Sequence, residues 1–396
     1  MCYQFKFSPQ DWDAIKNYPY AGLDFLIDDN QNIVFLEANA VPGGISVMEN
    51  VCKLILENAP GLRKFMPHTE FVKLFTDAAL TYYRIIKGGT PKLVLVTTPY
   101  KGDPVLMPER LSIVEEFKRR GVQAVICHRE RYTVQDNKIL LRAGSRFLCP
   151  DLIIRRNTIF PKNVSQPVIN RSEVGLITGS KYRTYRIVSD FLSRQKEVAL
   201  KIPETYFAKS VKKAITISEE ILSRGKEVVV KPNKGERGKD IIFIRSASDA
   251  ETKLKRAFHS KRITLVVQER IQTLPFCREG RQYVFDIRTY AYLGQFVGAH
   301  IRRSSVPIGS SSIEDYGVSN ISHGGTYVPL LSTSDGPCVI KWRETAKRLY
   351  LFKHIIVDNY AFSLPHHMWK MLKRATEFVV RAIGYALNGF LNYAKI

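Results

Sequence analysis

The sequence predicts a mixed fold, part α+β and part α/β, in two or three domains. Three observations carry this: a β-hairpin near the N-terminus, a strand–helix–strand unit just after residue 90, and a tract from about 170 onward in which strands and helices follow one another without a simple repeat. The chain has 396 residues, 45% of them hydrophobic, which is enough for an extensive core.

In the opening segment, residues 23–27 and 33–36 are apolar β-formers around Asp28-Asp-Asn-Gln-Asn32, a run of turn residues. Residues 46–58 carry helical spacing through Val47, Val51, Leu54 and Ile55, and residues 71–87 carry it through Phe71, Leu74, Phe75, Ala78 and Tyr83. Gly88-Gly89-Thr90-Pro91 then breaks the pattern and bounds a first segment, 1–89.

The next segment, 90–170, has a different texture. Residues 92–97 read as a buried strand, 109–120 as an amphipathic helix closed by Gly121, and 123–127 as a second strand; this βαβ order predicts a parallel sheet. Residues 131–134 and 138–142 flank Gln135-Asp136-Asn137 as a hairpin, and 151–155 form a further strand.

From 171 to 396 the expected strands are 228–231, 241–245, 265–269, 283–293 and 296–302. The expected helices are 181–193, 211–223, 247–257, 342–352 and 368–388. The serine-rich stretch 304–319 is expected to be a mobile loop.

Lys and Arg number 60 against 37 Asp and Glu, a formal net charge of +23. Such a balance attracts phosphate-rich or acidic partners. The basic residues are spread along the chain with no dense tail or Arg-Gly repeat, so nucleic acid is not the favoured partner. The six cysteines are scattered and form no C-x-x-C pair, which points neither to zinc nor to a disulfide scaffold. Residues 1–7 lack the apolar core of a signal peptide, and no run of about 18 apolar residues exists for a membrane span. A reduced, cytoplasmic setting fits. Oligomeric state is not readable.

Chemistry concentrates in a few places. Asp24 and Glu37 lie on facing strands of the hairpin, and the period of two puts Asn39 on the same face as Glu37. Two carboxylates and an amide oxygen make a hard-oxygen set suited to Mg²⁺ carrying nucleotide phosphates, although a surface hairpin with acidic turn residues would look similar. Lys231 ends an apolar strand and is followed by a loop containing Gly235 and Gly238, where backbone N–H groups can approach anionic oxygens; the spacing is not that of a Walker loop. Lys181 opens a helix. Asp286-Ile-Arg288 lies in one strand, Arg302 in the next, and Asn320-Ile-Ser-His-Gly324-Gly325 follows a loop. Arginine is a planar, permanently charged donor suited to phosphate and carboxylate oxygens, and Arg303 reads as a structural ion pair. His300 and His323 carry little weight, because lone histidines are more often structural.

The spacing D-x12-E-x-N ending at Pro42-Gly43 resembles the metal-binding end of ATP-grasp enzymes. The Lys231–Gly238 stretch is similar to that superfamily's phosphate-covering loop, Lys181 to its helix-opening lysine, and Val266-Val-Gln268-Glu269-Arg-Ile271 to its adenine-reading hinge strand. The order of D-I-R, R and N-x-x-x-G-G resembles the glutamate-adding and peptide-forming branch.

The metal-binding hairpin of that superfamily normally follows a C-terminal helix like the one at 378–390, yet here it opens the chain. The arrangement resembles a circularly permuted ATP-grasp protein with a pre-ATP-grasp-like α/β domain at 90–170, and residues 45–90 match nothing in the family. Ahead of the lysine helix, Asp151-Leu-Ile-Ile-Arg155-Arg156 is similar to the same permuted group.

The resemblance implies ATP and Mg²⁺ (or Mn²⁺) as cofactors, with metal on Asp24, Glu37 and Asn39. Nucleotide would lie on Lys181, Lys231, Gly235, Gly238, Gln268, Glu269 and Ile271, and catalysis would use Arg288, Arg302 and Asn320. Asp286, Gly324, Gly325, Arg155 and Arg156 would meet substrate. Clustered with Arg142 and Arg146, the last two suggest that an anionic substrate is held by the middle domain. The implied activity is an ATP-dependent carboxylate–amine ligase working on small-molecule or peptide substrates. The alternatives are a kinase acting on a hydroxyl of an anionic small molecule, or a non-catalytic nucleotide-binding protein.

Overall fold

The structure is a computed structural model and describes residues 5–66, 68–98, 107–156, 160–195, 198–235, 240–258, 263–309, 325–334, 336–343, 347–349 and 355–393. Its organising element is a seven-stranded sheet. The strand order is Ile33–Asn39, Tyr20–Ile27, Phe285–Tyr292, Gln295–Arg303, Thr326–Val328, Ile355–Val357 and Lys347–Leu349. The opening hairpin is thus an edge of this sheet, paired antiparallel with Phe285–Tyr292 across more than 260 residues of sequence.

Alternation along these strands separates the faces. Leu23, Phe25, Ile287, Ala299, Ile301 and Val328 point into one core with Leu372, Phe378 and Val379 of the 28-residue helix His366–Tyr393. Asp24, Glu37, Arg288 and His300 belong to the opposite face.

A smaller antiparallel sheet, in the order Thr205–Ala208, Leu265–Glu269, Val228–Pro232, Ile242–Ile244, packs on helices Val211–Leu222 and Ala247–Phe258 around its own apolar core. Two crossings tie it to the hairpin. Lys201 N donates to Ile33 O (2.8 Å) and Phe35 N to Lys201 O (3.0 Å), while Leu274 N donates to Ile27 O (3.0 Å) and Asp29 N to Gln272 O (3.2 Å).

The middle region forms the expected parallel sheet, in the order Gln123–His128, Leu93–Thr98, Leu152–Ile154, Val168–Ile169, with helix Met107–Arg119 packed against it and a three-stranded antiparallel sheet appended. Helices Ile45–Asn58 and Phe71–Lys87 have no counterpart in the sequence resemblance. They bridge the two halves: Phe71 and Phe75 pack on Tyr290 and Tyr292 of the large sheet, and one core runs on to Val94, Ile113 and Phe117.

The expected helix at 342–352 is not formed. Cys338–Lys341 and Lys347–Leu349 are strands instead, the first paired with Tyr360–Pro365 and the second with Ile355–Val357. Pairing to ordered neighbours overrides the weak helical spacing there. Helix Pro9–Ile15 was not expected. It is capped by Ser8, whose Oγ accepts from Asp11 N (3.0 Å), with Pro9 at its first position. Much of the expected loop at 304–319 lies outside the described residues.

Candidate active site

On the polar face of the large sheet, the register sets Glu37 opposite Asp24, Asp24 opposite Arg288, and Arg288 opposite His300. Four adjacent strands therefore lay one polar row, three of its four groups ionisable as full charges and the fourth an imidazole. Arg288 grips Asp24 with both arms of its fork, through Nε to Oδ1 and Nη2 to Oδ2 (2.7 Å). Arg302 grips Asp286 in the same way (2.7 and 2.8 Å), and its Nη2 also lies 3.0 Å from Asp24 Oδ2. Burial alone would raise the Asp24 pKa, but the two guanidinium groups outweigh it and hold the carboxyl down to about 2.

Glu37 is different. It is half-buried, and among the described residues its carboxylate accepts no hydrogen bond. Burial and then the Asp24 charge push its pKa up, against the attraction of Lys181, Arg288 and Lys231. Asn39 donates to Gly22 O (3.3 Å), and no described group donates to its Oδ1. His300 lies stacked between Tyr290 and Tyr327, and burial with the flanking Arg302 and Arg288 charges drives its pKa well down, so it is neutral.

Two lysine charges act on Glu37, Lys231 from the smaller sheet and Lys181 from the helix it opens. Lys231 is buried at the end of strand Val228–Pro232, and its Nζ lies 3.1 Å from Tyr185 Oη. Tyr185 Oη in turn donates to Leu36 O, next to Glu37. Burial lowers the Lys231 pKa to about 8, against the opposing pull of Glu37. Lys181 begins helix Lys181–Leu192 and donates to Gly235 O (2.7 Å).

Asn233 fixes the approach of the two elements. Its Oδ1 accepts from Ser180 Oγ (3.1 Å) and Tyr182 N (3.0 Å), and its carbonyl accepts from Lys181 N (3.0 Å). On strand Leu265–Glu269, Gln268 is buried and donates to Thr205 Oγ1 (2.7 Å). Glu269 pairs with Lys226 (2.6 Å) and caps Glu204 N (3.0 Å), and Ile271 follows in the crossing to the hairpin.

The turn that ends the hairpin is clamped to the middle domain. Pro42 O accepts from Tyr20 Oη (2.7 Å) and from Arg156 Nη1 (2.6 Å), and Gly43 O accepts from Tyr290 Oη (2.9 Å). Glu109 pairs with Arg156 and accepts from Gly44 N (2.6 Å). A side chain at Gly44, where φ is +104°, would meet Tyr290 Oη at 2.8 Å. Asn170 completes the clamp, accepting from Tyr20 N (3.1 Å) and donating to Ala40 O (2.7 Å). Of the two arginines expected to meet an anionic substrate, Arg156 is engaged in this buried network, whereas Arg155 has a buried Nε without a hydrogen-bond partner. Arg303 pairs with Asp358 (3.0 Å).

Gly238, Asn320, Gly324 and His323 lie outside the described residues, whereas Gly325 is buried beside strand Thr326–Val328. Tyr185, Asn233 and Asn170 were not singled out in the sequence. Tyr185 stands four residues after Lys181 and so shares its helical face, a signal that could have found it. Asn233 lies in the quoted Lys231–Gly238 stretch. Asn170 had no local signal.

Among the described residues no cluster of three or more His, Cys, Asp and Glu side chains is placed to hold a metal ion; the expected ligands that no hydrogen bond occupies are the Glu37 carboxylate and the Asn39 amide oxygen. That donor set suits a hard ion that keeps waters and phosphate oxygens of its own. No helix among the described residues is long and apolar enough to cross a membrane.

Residues 176–299 match the model of the tubulin-tyrosine ligase family, a span that runs from before Lys181 to the strand carrying Arg302 and covers less than a third of the chain. No curated protein matches the chain. Among solved structures, it is similar to a putative gamma-glutamylcysteine synthetase from Methylobacillus flagellatus KT, with TM-score 0.58 and 12% identity over 97% of this chain and 93% of that one. A RimK domain protein ATP-grasp from Sphaerobacter thermophilus gives 0.37 and 15% over 73% and 97% of the two chains. D-alanyl-alanine synthetase A from Vibrio cholerae gives 0.37 and 11% over 75% and 98%. The chain has the ATP-grasp fold, and part of its sequence is similar to the tubulin-tyrosine ligase family.

Proposed function

We propose that the protein is an ATP-dependent carboxylate–amine ligase, forming an amide or peptide bond and releasing ADP and phosphate. One observation carries the reading: the half-buried Glu37 carboxylate, free of hydrogen bonds among the described residues, lies between the Lys181 and Lys231 ammonium groups of one subdomain and the Asp24–Arg288–Arg302 network of the other. ATP phosphates placed there would meet cationic side chains from both walls. Glu37 and Asn39 would hold Mg²⁺, whose chemical contribution is to neutralise phosphate charge; Asp24 would join them by releasing an arginine contact.

In this reading, a substrate carboxylate oxygen attacks the γ-phosphorus as the bond to ADP breaks, giving an acylphosphate. An amine then attacks the acyl carbon, phosphate leaves and the amine loses a proton. Lys231 and Lys181 orient the phosphates, while Arg288 and Arg302, rigid in their aspartate forks, stabilise the charge on the transferred group. No side-chain nucleophile is needed, and the neutral, ring-sandwiched His300 is not an acid–base group.

The same reading treats the chain as circularly permuted, with the hairpin supplying the metal ligands that would otherwise follow helix His366–Tyr393. It also treats 1–89, 90–170 and 171–396 as its three working segments.

The experiment is acceptor-dependent ADP release across amino acids, short peptides and other acids, with hydroxylamine as a trap. A ligase yields a hydroxamate. ATP consumption without hydroxamate would indicate phosphorylation of a hydroxyl instead, and no acceptor-dependent ADP would leave only nucleotide binding.

A further inference from the structure

The middle sheet runs in the order second, first, third, fourth strand, so the chain leaves Leu93–Thr98 toward one side and returns on the other. In open parallel sheets, ligands bind in the crevice at the carboxyl ends of the strands where the order reverses. Here that point lies between Leu93–Thr98 and Leu152–Ile154, and the residues just beyond the latter are Arg155 and Arg156. Both are buried, yet their surroundings differ completely. Arg156 is held by Glu109, Pro42 O and the Tyr20 ring. The Arg155 backbone is fixed, with its N–H donating to Ile169 O (2.7 Å), but its guanidinium has no hydrogen bond or ion pair among the described residues. Its Nε is sealed from solvent without a partner, and Glu173 is the acidic group whose charge reaches it, without forming an ion pair.

A buried, unpaired guanidinium is costly, and a fold keeps one where an anion completes it. The carboxyl ends of these strands adjoin the turn that follows Asn39. Arg156, the next residue, bonds Pro42 O three residues past Asn39, and Asn170 bonds Ala40 O.

We propose that Arg155 anchors a second, non-reacting carboxylate of the acid substrate, which makes the substrate class a diacid: a dicarboxylate, an acidic amino acid or an acidic peptide terminus. This rests on the ligase reading, in which the reacting carboxylate lies at the lysines and arginines of the cleft. The planar fork of Arg155 suits a carboxylate bidentately.

The test is calorimetric titration at low ionic strength, with Mg²⁺ and a non-hydrolysable ATP analogue present. Succinate, glutarate and adipate are compared with butyrate, using the wild-type protein, Arg155→Met and Arg155→Lys. The wild type should bind its best diacid at least about tenfold tighter than butyrate, as a charge-assisted fork allows. Arg155→Met should bring that ratio near one, and Arg155→Lys, which keeps charge but loses the fork, should lower it severalfold. Binding of the ATP analogue and circular dichroism report that each variant is folded. If Arg155→Met fails to fold, Arg155→Lys decides. A wild type with no preference for diacids, or a ratio unchanged in the folded variants, overturns the proposal. The ligase reading fails separately, if the wild type with ATP and hydroxylamine gives no hydroxamate while the diacid preference stands.

Discussion

Asp24→Asn should weaken the fold as well as the chemistry, and the structure sets the scale. Asp24 is buried and its pKa is lowered from 3.8 to about 2. A carboxyl whose folded pKa is depressed contributes stability that is fully present above its unfolded pKa and is lost as pH falls through the folded value. A shift of nearly two units corresponds to about 2–3 kcal/mol, present above about pH 4 and gone near pH 2. Substitution does more than discharge the group. Arg302 keeps Asp286, but Arg288 has Asp24 alone as its fork partner among the described residues, so it becomes a largely buried cation that has lost its ion pair. Breaking a buried pair in this way costs about 3–5 kcal/mol. The double variant Asp24→Asn, Arg288→Met removes the orphaned charge and should recover more than half of the loss. Urea unfolding followed by tryptophan fluorescence reads the sheet directly, since Trp369 packs edge-on against Phe296 of strand Gln295–Arg303. A loss below about 1 kcal/mol in Asp24→Asn, or a double variant that is less stable still, would refute the reasoning.

Three further outcomes follow from the same geometry. Glu37→Gln should abolish turnover while leaving the melting temperature unchanged or higher, because burial and Asp24 already oppose the Glu37 charge; a clear drop in melting temperature would contradict this. Affinity for Mg-ATP should be flat with pH up to about 8 and fall above it as the Lys231 ammonium loses its proton, and Lys231→Arg should flatten the profile; titrations from pH 6.5 to 9.5 check it. Gly22→Ala should cost about 1–3 kcal/mol, because its Cβ would lie 2.3 Å from Pro42 Cβ and push the turn away from Asn39; chemical denaturation measures the loss, and a neutral change would rule the clash out.

How far the sequence reveals this molecule depends on how local each signal is. The hairpin itself, a strong turn between two strands of period two, is visible in twenty residues, but Asp24 stands opposite Glu37 only because the register shifts between Asp24 and Phe25; the Phe25–Phe35 pairing continued regularly would set Leu36 there. The strand bearing Lys231 and the helix opened by Lys181 are equally local. The partners of the arginines are not. Arg288 and Asp24 are 264 residues apart, and only sheet pairing shows that the fork is already filled by a carboxylate. Asn170 was invisible for the same reason, since it is one buried amide serving a turn 130 residues away. The strands between Thr326 and Pro365 are three to six residues long and carry too few alternations to outweigh a helical spacing.

The position of the hairpin at the start of the chain yields the last prediction. Permutation of a fold requires that the elements being joined lie together, and among the described residues two helices meet this. Helix Pro9–Ile15 lies against helix His366–Tyr393, with Asn17 Nδ2 donating to Asn388 Oδ1 (3.3 Å) and Tyr385 Oη to Gln10 O (3.4 Å). The fit is close enough that a side chain at Gly384 would strike Ala14 O at 2.3 Å. Joining the ends through about ten Gly/Ser residues, with a root-mean-square span of roughly 17 Å, should impose little strain. Reopening the chain between Gly88 and Gly89, both exposed and at positive φ with no packing to lose, would place Asp24, Glu37 and Asn39 after Arg302 in sequence. The re-permuted protein should fold and bind Mg-ATP within about threefold of the natural chain, since no contact of the sheet or cleft is cut and a threefold change is well under 1 kcal/mol. The measurement is nucleotide titration on the purified protein. A re-permuted chain that folds, by circular dichroism, but binds no nucleotide would show that the hairpin does not serve the site as proposed, and one that cannot fold would show that the order of the elements is itself required.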